Sequence, residues 1–253
     1  MSQLLLLQIV AVVLTPAVFI VAIEIGFRLG RRTDTGKRID TGPIQGASLG
    51  LLGLLLAFSF AGSAGRFVER QTLVFEESNA IGTAYLRADL IPEPYATEFR
   101  DTLRVYTEHR SQAGNLIRDG VLDDFIDEVP RYHERLWALA RDGTRADPTG
   151  LVPVINAVNE VIDIHTLRVG ANKHVKTPVL VLLVVCSLLT LGVIGYSCGT
   201  AGSRNFVMTT VVALLIASTL LTSLDLDLGR VGLIQISDQP LVELDFSSAL
   251  PSR

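Results

Sequence analysis

Leu54 and Phe58 stand four residues apart in the run GASLGLLGLLLAFSFAGSAGRFVERQTLVFEESNAIG, which starts at Gly46. Bulky apolar side chains on one helix face can do one kind of work without any polar group. Ringed about an axis, they form a constriction that wets and dewets, and so gates the passage of water and ions. Small residues recur at the same spacing on the same helix: Gly46 and Gly50, then Ala57, Ala61 and Gly65. In a bilayer such rows let helices approach closely. One small face and one Leu/Phe face therefore suit a ring of subunits, the small face packing on a neighbour and the bulky face turned to a shared axis. Further along, Glu76, Glu77 and Asn79 read as a polar helix face that would line a vestibule in such a ring. Acidic rings favour cations, and the ion selected is left open.

Other residues offer less. Glu24 and Arg28 sit four apart near the end of an apolar stretch, in the favourable order for a helical ion pair. His109, His133, His165 and His174 are scattered, and no H-E-x-x-H or Cys–His spacing is present, so no zinc site is expected. No phosphate-binding glycine loop is present, and the two G-x-S-x-G matches, GASLG at Gly46 and GYSCG at Gly195, lie inside apolar blocks rather than at a strand-to-helix elbow. With no catalytic constellation, the chain does not read as an enzyme, and no cofactor or metal is implied. In DLDLG (Asp225–Gly229) two carboxylates are too few for a calcium site. Asp225 and Asp227 are expected to cap a helix or to pair with Arg230.

The elements that must position these residues are membrane spans. Of 253 residues, 49% are hydrophobic and 19% charged. The apolar residues fall into four charge-free blocks, Leu4–Ile23, Thr41–Gly65, Thr177–Ser203 and Asn205–Leu224. Each is long enough, at about 20 residues or more, to cross a bilayer as a helix. The first block lacks a basic start and is too long for a signal-peptide core, so it reads as a retained span. Cys186 and Cys198 both belong to the third block, which excludes a disulfide framework. A net charge of −4 argues against a nucleic-acid partner.

The expected fold is an all-α integral membrane protein. Residues 1–67 hold spans 1 and 2, 68–176 a helical extramembrane region, 177–224 spans 3 and 4, and 225–253 an extended tail. In the polar region, helical spacing predicts a helix from Arg66 to Ile91 that continues span 2 and stops at Pro92 and Pro94. A second runs from Tyr95 to Ile117 on a stripe of Phe99, Leu103 and Tyr106. After Gly120 a third carries Phe125, Ile126, Val129, Leu136, Trp137 and Leu139, with Pro130 as a kink or break. Arg141–Gly150 reads as a loop. A last helix from Leu151, with Val154, Val158 and Val161, is expected to run on into span 3, with Gly170 and Pro178 as its weak points. The tail, GRVGLIQISDQPLVELDF from Gly229, reads as an extended arm that docks on another surface, a neighbouring subunit among the candidates.

Orientation is not settled by charge. Arg31, Arg32, Lys37 and Arg38 put the first loop inside by the positive-inside rule, but Arg66, Arg70, Arg168, Lys173 and Lys176 flank the other side with as much charge.

The run from Leu49 to Arg70 resembles the second transmembrane segment of bestrophins, with a Leu-Gly-rich helix, an L-x-F element, small residues and a following Arg. VFEESNAIGTAYLRADLIPEP (Val74–Pro94) and GLIQISDQP (Gly232–Pro240) resemble more closely an uncharacterised bacterial family of bestrophin-like domain proteins. The likeness to true bestrophins is confined to span 2 and the four-span layout. Phe67 and Val68 stand where bestrophins carry Trp, and their acidic calcium clasp is not reproduced. The resemblance implies a homo-oligomer, a pentamer in bestrophins, in the bacterial inner membrane. It implies passive conduction of small ions, Leu54 and Phe58 lining a hydrophobic neck, and a cytosolic helical region. The rival reading is a non-conducting membrane scaffold or sensor whose helical bundle binds a partner.

Overall fold

A computed structural model describes residues 3–33, 40–112, 122–171, 175–230, 232–244 and 246. Lys37, Arg38, Gly120 and Lys173, the end of the second predicted soluble helix, and the side chains of Phe125 and Ile126 lie outside what it describes. The helices are α1 (Gln3–Arg31), α2 (Gly42–Arg87), α3 (Tyr95–Ser111), α4 (Leu122–Ala146), α5 (Leu151–Gly170), α6 (Thr177–Thr200), α7 (Phe206–Leu228) and the short α8 (Gln239–Val242). Among the described residues there is no strand. Among the described residues four helices are long and apolar enough to cross a membrane, over Val10–Arg31, Gly42–Leu90, Thr177–Thr200 and Phe206–Leu228.

The chain forms two compact units, residues 1–66 with 174–234 and residues 67–173 with 235–253. α2 is helical throughout and contributes to both.

In the first unit, α1 packs on α6 through glycines. A Cβ on Gly26 would lie 2.1 Å from the Gly192 carbonyl oxygen, and one on Gly195 would lie 2.0 Å from that of Ile23. Gly30 and Gly199 are equally tight, against the carbonyls of Tyr196 and Phe27. Two backbones this close leave room for a hydrogen and nothing larger, and they place Cα–H groups against carbonyl oxygens. Around this seam Phe19, Ile23, Leu52, Leu183, Leu191, Ala213 and Leu220 make the unit's core. α7 starts at Asn205, whose side chain accepts from the Met208 N–H, and it ends at Gly229, whose φ of 59° suits a residue without Cβ. Beyond it, Asp225 closes the turn. Its carboxylate oxygens accept from the N–H groups of Leu233 and Ile234 at 2.8 and 2.9 Å.

The second unit is a helical bundle. Phe99, Leu103 and Tyr106 of α3 meet Leu136 and Ala140 of α4, Val154, Val158 and Val161 of α5, and Ile81 and Ala84 of α2, all buried. Each large apolar side chain buried here contributes about 1.5–3 kcal/mol relative to exposure. α2 gives way to a 3-10 turn at Ala88–Leu90, and Ile91, ahead of Pro92, is extended at φ −120°, ψ 149°.

Four expectations need correction. The helix before span 3 does not run into it. α5 ends at Gly170 and α6 starts anew at Thr177 behind an extended Lys176 (ψ 135°), with Pro178 in its first turn. Of the two readings of Pro130, a kink or a break, the break does not occur: α4 is helical through it. The stretch Arg141–Ala146 is helix rather than loop. Asp142 pairs with Arg141, and Gly143 lets α4 press on Ile91 and Tyr95, where a Cβ would meet side chains at 3.1–3.2 Å. The tail docks on its own chain. Gln71 brackets Ser237 with bonds to its carbonyl and N–H (3.1 and 2.8 Å), Ser78 donates to the Pro240 carbonyl (2.7 Å), and Leu241 is buried.

The glycine seam gives a direct contrast. Gly195→Val is expected to lower the unfolding temperature of the detergent-solubilised protein strongly, since overpacking at a backbone contact costs about 1–3 kcal/mol or more. Gly53→Ala, with nothing within 4 Å of the added Cβ, is expected to leave it unchanged or raise it slightly. Thermal unfolding of both variants checks this.

Candidate functional site

At 3.6 residues per turn, the buried residues of α2 within the first unit form one stripe: Leu52, Leu56 and Ser63. Leu54 and Phe58 project from the far side, about 160° away. They are 53% and 69% exposed, high values for side chains of this size. The small residues lie on average about 55° from them along one flank, with Gly65 in line with them. Gly46, Gly50, Ala57, Ala61 and Gly65 are all exposed, and a Cβ on any of the three glycines would touch nothing within 4 Å except the glycine's own neighbours and helix. On the opposite flank a cavity of about 380 Å³ lies between Leu55, Phe58, Ser59 and Gly62 of α2 and Val179 and Leu182 of α6. At its end Arg66 pairs with Asp227 at 2.7 Å, and Asp227 also accepts from the Val175 N–H at 2.8 Å. That bond ties α2 and the segment entering α6 to the end of α7.

In the second unit Glu76 and Asn79 are exposed and share a groove of about 510 Å³ with Asn156, Asn159, Glu160 and Asp163 of α5. Glu77 does not share their face. One residue is about 100° of helix, which turns it inward, where it is completely buried. Its Oε1 accepts from the Tyr106 hydroxyl and from Arg110 Nε, both at 2.8 Å. Its Oε2 accepts from Arg168 Nη1 and, at 3.4 Å, from Arg110 Nη2. Arg168 also reaches Asp238 in the docked tail at 3.3 Å. Two guanidiniums and two carboxylates thus balance inside the bundle, each held by further hydrogen bonds, as burial of charge requires. His133 stands beside this network, its Nε2 3.5 Å from the Tyr106 hydroxyl, and its ring meets that of His165 edge-on at 5.0 Å. Burial first, and the Arg110 charge second, push both imidazoles down to a pKa of about 4. Burial pushes the Tyr106 phenol up to about 12, so it remains a neutral donor to Glu77.

The family model described as Bestrophin-like domain matches residues 12–241. The chain belongs to the bestrophin-like domain family. With four apolar helices of spanning length, it is an integral membrane protein of that family. No curated protein and no solved structure matches it.

In this bestrophin-like chain the predicted neck pair and small row occupy the free faces of one helix, whereas the three predicted vestibule residues divide, Glu76 and Asn79 outward and Glu77 inward. Tyr106, Arg110, Arg168 and Asp238 went unpredicted as its partners. The signal was available: Glu77 falls in register with buried Val74, Ile81 and Ala84, and Arg110 with buried Phe99, Leu103 and Tyr106. A lone acid and a lone cation on two core stripes call for each other. Among the described residues no cluster of His, Cys, Asp and Glu suits a metal ion.

Glu77→Gln leaves Arg110 and Arg168 buried without their shared counter-charge and is expected to cost about 3–5 kcal/mol. Glu76→Gln, on the surface, is expected to stay within about 0.5 kcal/mol; denaturant unfolding of both variants measures the difference. A histidine whose folded pKa is depressed stabilises the fold above its unfolded value near 6.5, and that contribution is lost as the pH falls toward 4. The unfolding temperature is therefore expected to drop between about pH 6.5 and 4. In a His133→Gln/His165→Gln variant, neutral at those positions at every pH, the drop should be visibly smaller.

Proposed function

We propose that the protein assembles as a homo-oligomer around α2, a pentamer by likeness to bestrophins, and conducts small ions passively across the bacterial inner membrane. Leu54 and Phe58 form the hydrophobic neck. The observation that carries this reading is a contrast between two sets of glycines. Gly26 and Gly30 of α1 and Gly195 and Gly199 of α6 are consumed by a close contact inside the chain, while Gly46, Gly50 and Gly65 of α2 face open space. A glycine row in a membrane helix costs packing area unless another backbone approaches it, and the partner that is always available is a second copy.

The arrangement of the flanks favours a ring. The small row lies on one side of α2 and the cavity beside Ser59 and Gly62 on the other, about 145° around the helix. A contact joining one copy's small row to the next copy's cavity is head-to-tail, and head-to-tail contacts close into rings when the rotation allows. Leu54 and Phe58 then project from α2 opposite its own bundle, toward the shared axis. Their bulk makes a dry constriction, which blocks ions unless it widens or wets. Glu76 and Asn79 are the vestibule residues of this reading. Glu77 serves the bundle's interior instead.

Ion flux from proteoliposomes of wild type, Leu54→Ala and Phe58→Ala tests the neck. Both variants are expected to leak severalfold more than wild type. Equal flux in all three would remove these residues from the conduction path. No flux in any of them would favour the scaffold or sensor reading.

A further inference from the structure

Glu24 of α1 holds two arginines. Its Oε1 accepts from Arg28 Nε and its Oε2 from Arg204 Nη1, each at 2.7 Å. Both oxygens are occupied, and two guanidiniums face one carboxylate, so the trio carries one surplus positive charge. Arg204 stands in the turn between α6 and α7, its side chain 8% exposed. Its Nε donates to the Thr209 hydroxyl at 3.1 Å, and its guanidinium lies 5.8 and 5.3 Å from the Phe27 and Phe206 ring centres. Its remaining nitrogen, Nη2, is buried with no hydrogen-bond partner. An orphaned buried donor on a charged group is costlier than one on a neutral group. Arg28 beside it is 72% exposed, and the bond it makes to Glu24 uses only Nε.

We infer that this cluster seats the phosphate of an anionic phospholipid from the adjoining leaflet. The guanidinium fork matches phosphate oxygens in both shape and charge. A phosphate would neutralise the surplus charge and give Arg204 Nη2 its missing acceptor. Phe206 is 61% exposed and Arg28 more so, so the surface around Arg204 has side chains free to rearrange about a headgroup. The location fits a headgroup: Glu24 and Arg28 lie near the end of α1 and Arg204 in the turn joining two further spans, the level at which lipid phosphates lie. A lipid is favoured over a soluble anion by the surface beneath. Val21 and Leu14, seven and fourteen residues before Arg28, lie on the same helix face, both more than half exposed, and offer acyl chains a continuous apolar strip. This site is independent of whether the protein conducts.

Thermal unfolding of the full-length protein in neutral detergent tests the inference, with dioleoylphosphatidylglycerol, dioleoylphosphatidylcholine or inorganic phosphate added. Phosphatidylglycerol is expected to raise the unfolding temperature saturably and the other two to leave it unchanged. Arg28→Gln, at an exposed position, is expected to weaken the apparent affinity for phosphatidylglycerol about tenfold, the loss of one charge-assisted hydrogen bond. Arg204→Lys, which keeps the charge without the fork, should weaken it further. Equal stabilisation by phosphatidylcholine would overturn the inference, as would an unaltered phosphatidylglycerol response in Arg28→Gln. An equal effect of inorganic phosphate would make this a soluble-anion site and overturn the lipid assignment.

Discussion

Close backbone approach is the constraint on which the membrane part of this structure depends. Lipid tails are as apolar as leucine, so spans gain nothing from hiding apolar surface from one another and must associate through packing and polar contacts. α1 and α6 solve this with Gly26, Gly30, Gly195 and Gly199, each set against a carbonyl of the other helix. α2 carries a comparable row, but among the described residues nothing comes within 4 Å of a Cβ placed on its glycines Gly46, Gly50 and Gly65. Its Leu54 and Phe58 are likewise free. A single copy therefore leaves the characteristic surface of α2 unused, and the proposed assembly is the arrangement in which that surface acquires a purpose.

The polar part is governed by a different interaction. Glu77 gathers Tyr106, Arg110 and Arg168 from α3 and α5, and through Arg168 it engages Asp238 of the docked tail. Such a network gives little net stability compared with an apolar core of the same shape, but removing one member leaves a bare charge in a dry place. It therefore acts as a registration device: α2, α3, α5 and the tail satisfy every charge only in this one arrangement. The adjacent neutral pair His133 and His165 makes that arrangement sensitive to acid.

Much of the fold was legible because hydrophobic blocks and helical stripes report burial directly. The four spans, the stop at Pro92 and Pro94, and the stripe of Phe99, Leu103 and Tyr106 all follow from such patterns. What was not legible involves partners distant in sequence or helices that outlast a local signal. The Arg141–Ala146 stretch stays helical because tertiary contacts at Gly143 and a run of local ion pairs outweigh weak propensity. The break between α5 and α6 was signalled by Gly170 and Pro178, yet apolar character on both sides masked it. Glu77 was placed beside Glu76 by nearness in sequence, although a step of one residue turns a helix by about 100°. Asp225 and Asp227 read as helix caps or partners of Arg230, and nothing local signals Arg66, which reaches Asp227 from 161 residues away.

The central claim is that α2 completes its packing only against other copies of itself. Single-particle imaging of the intact protein in detergent tests this most directly. The account predicts a closed ring in which the small row of each α2 contacts the neighbouring copy and Leu54 and Phe58 point to the symmetry axis. A monomer, or an oligomer in which those two side chains face the detergent belt, would contradict it.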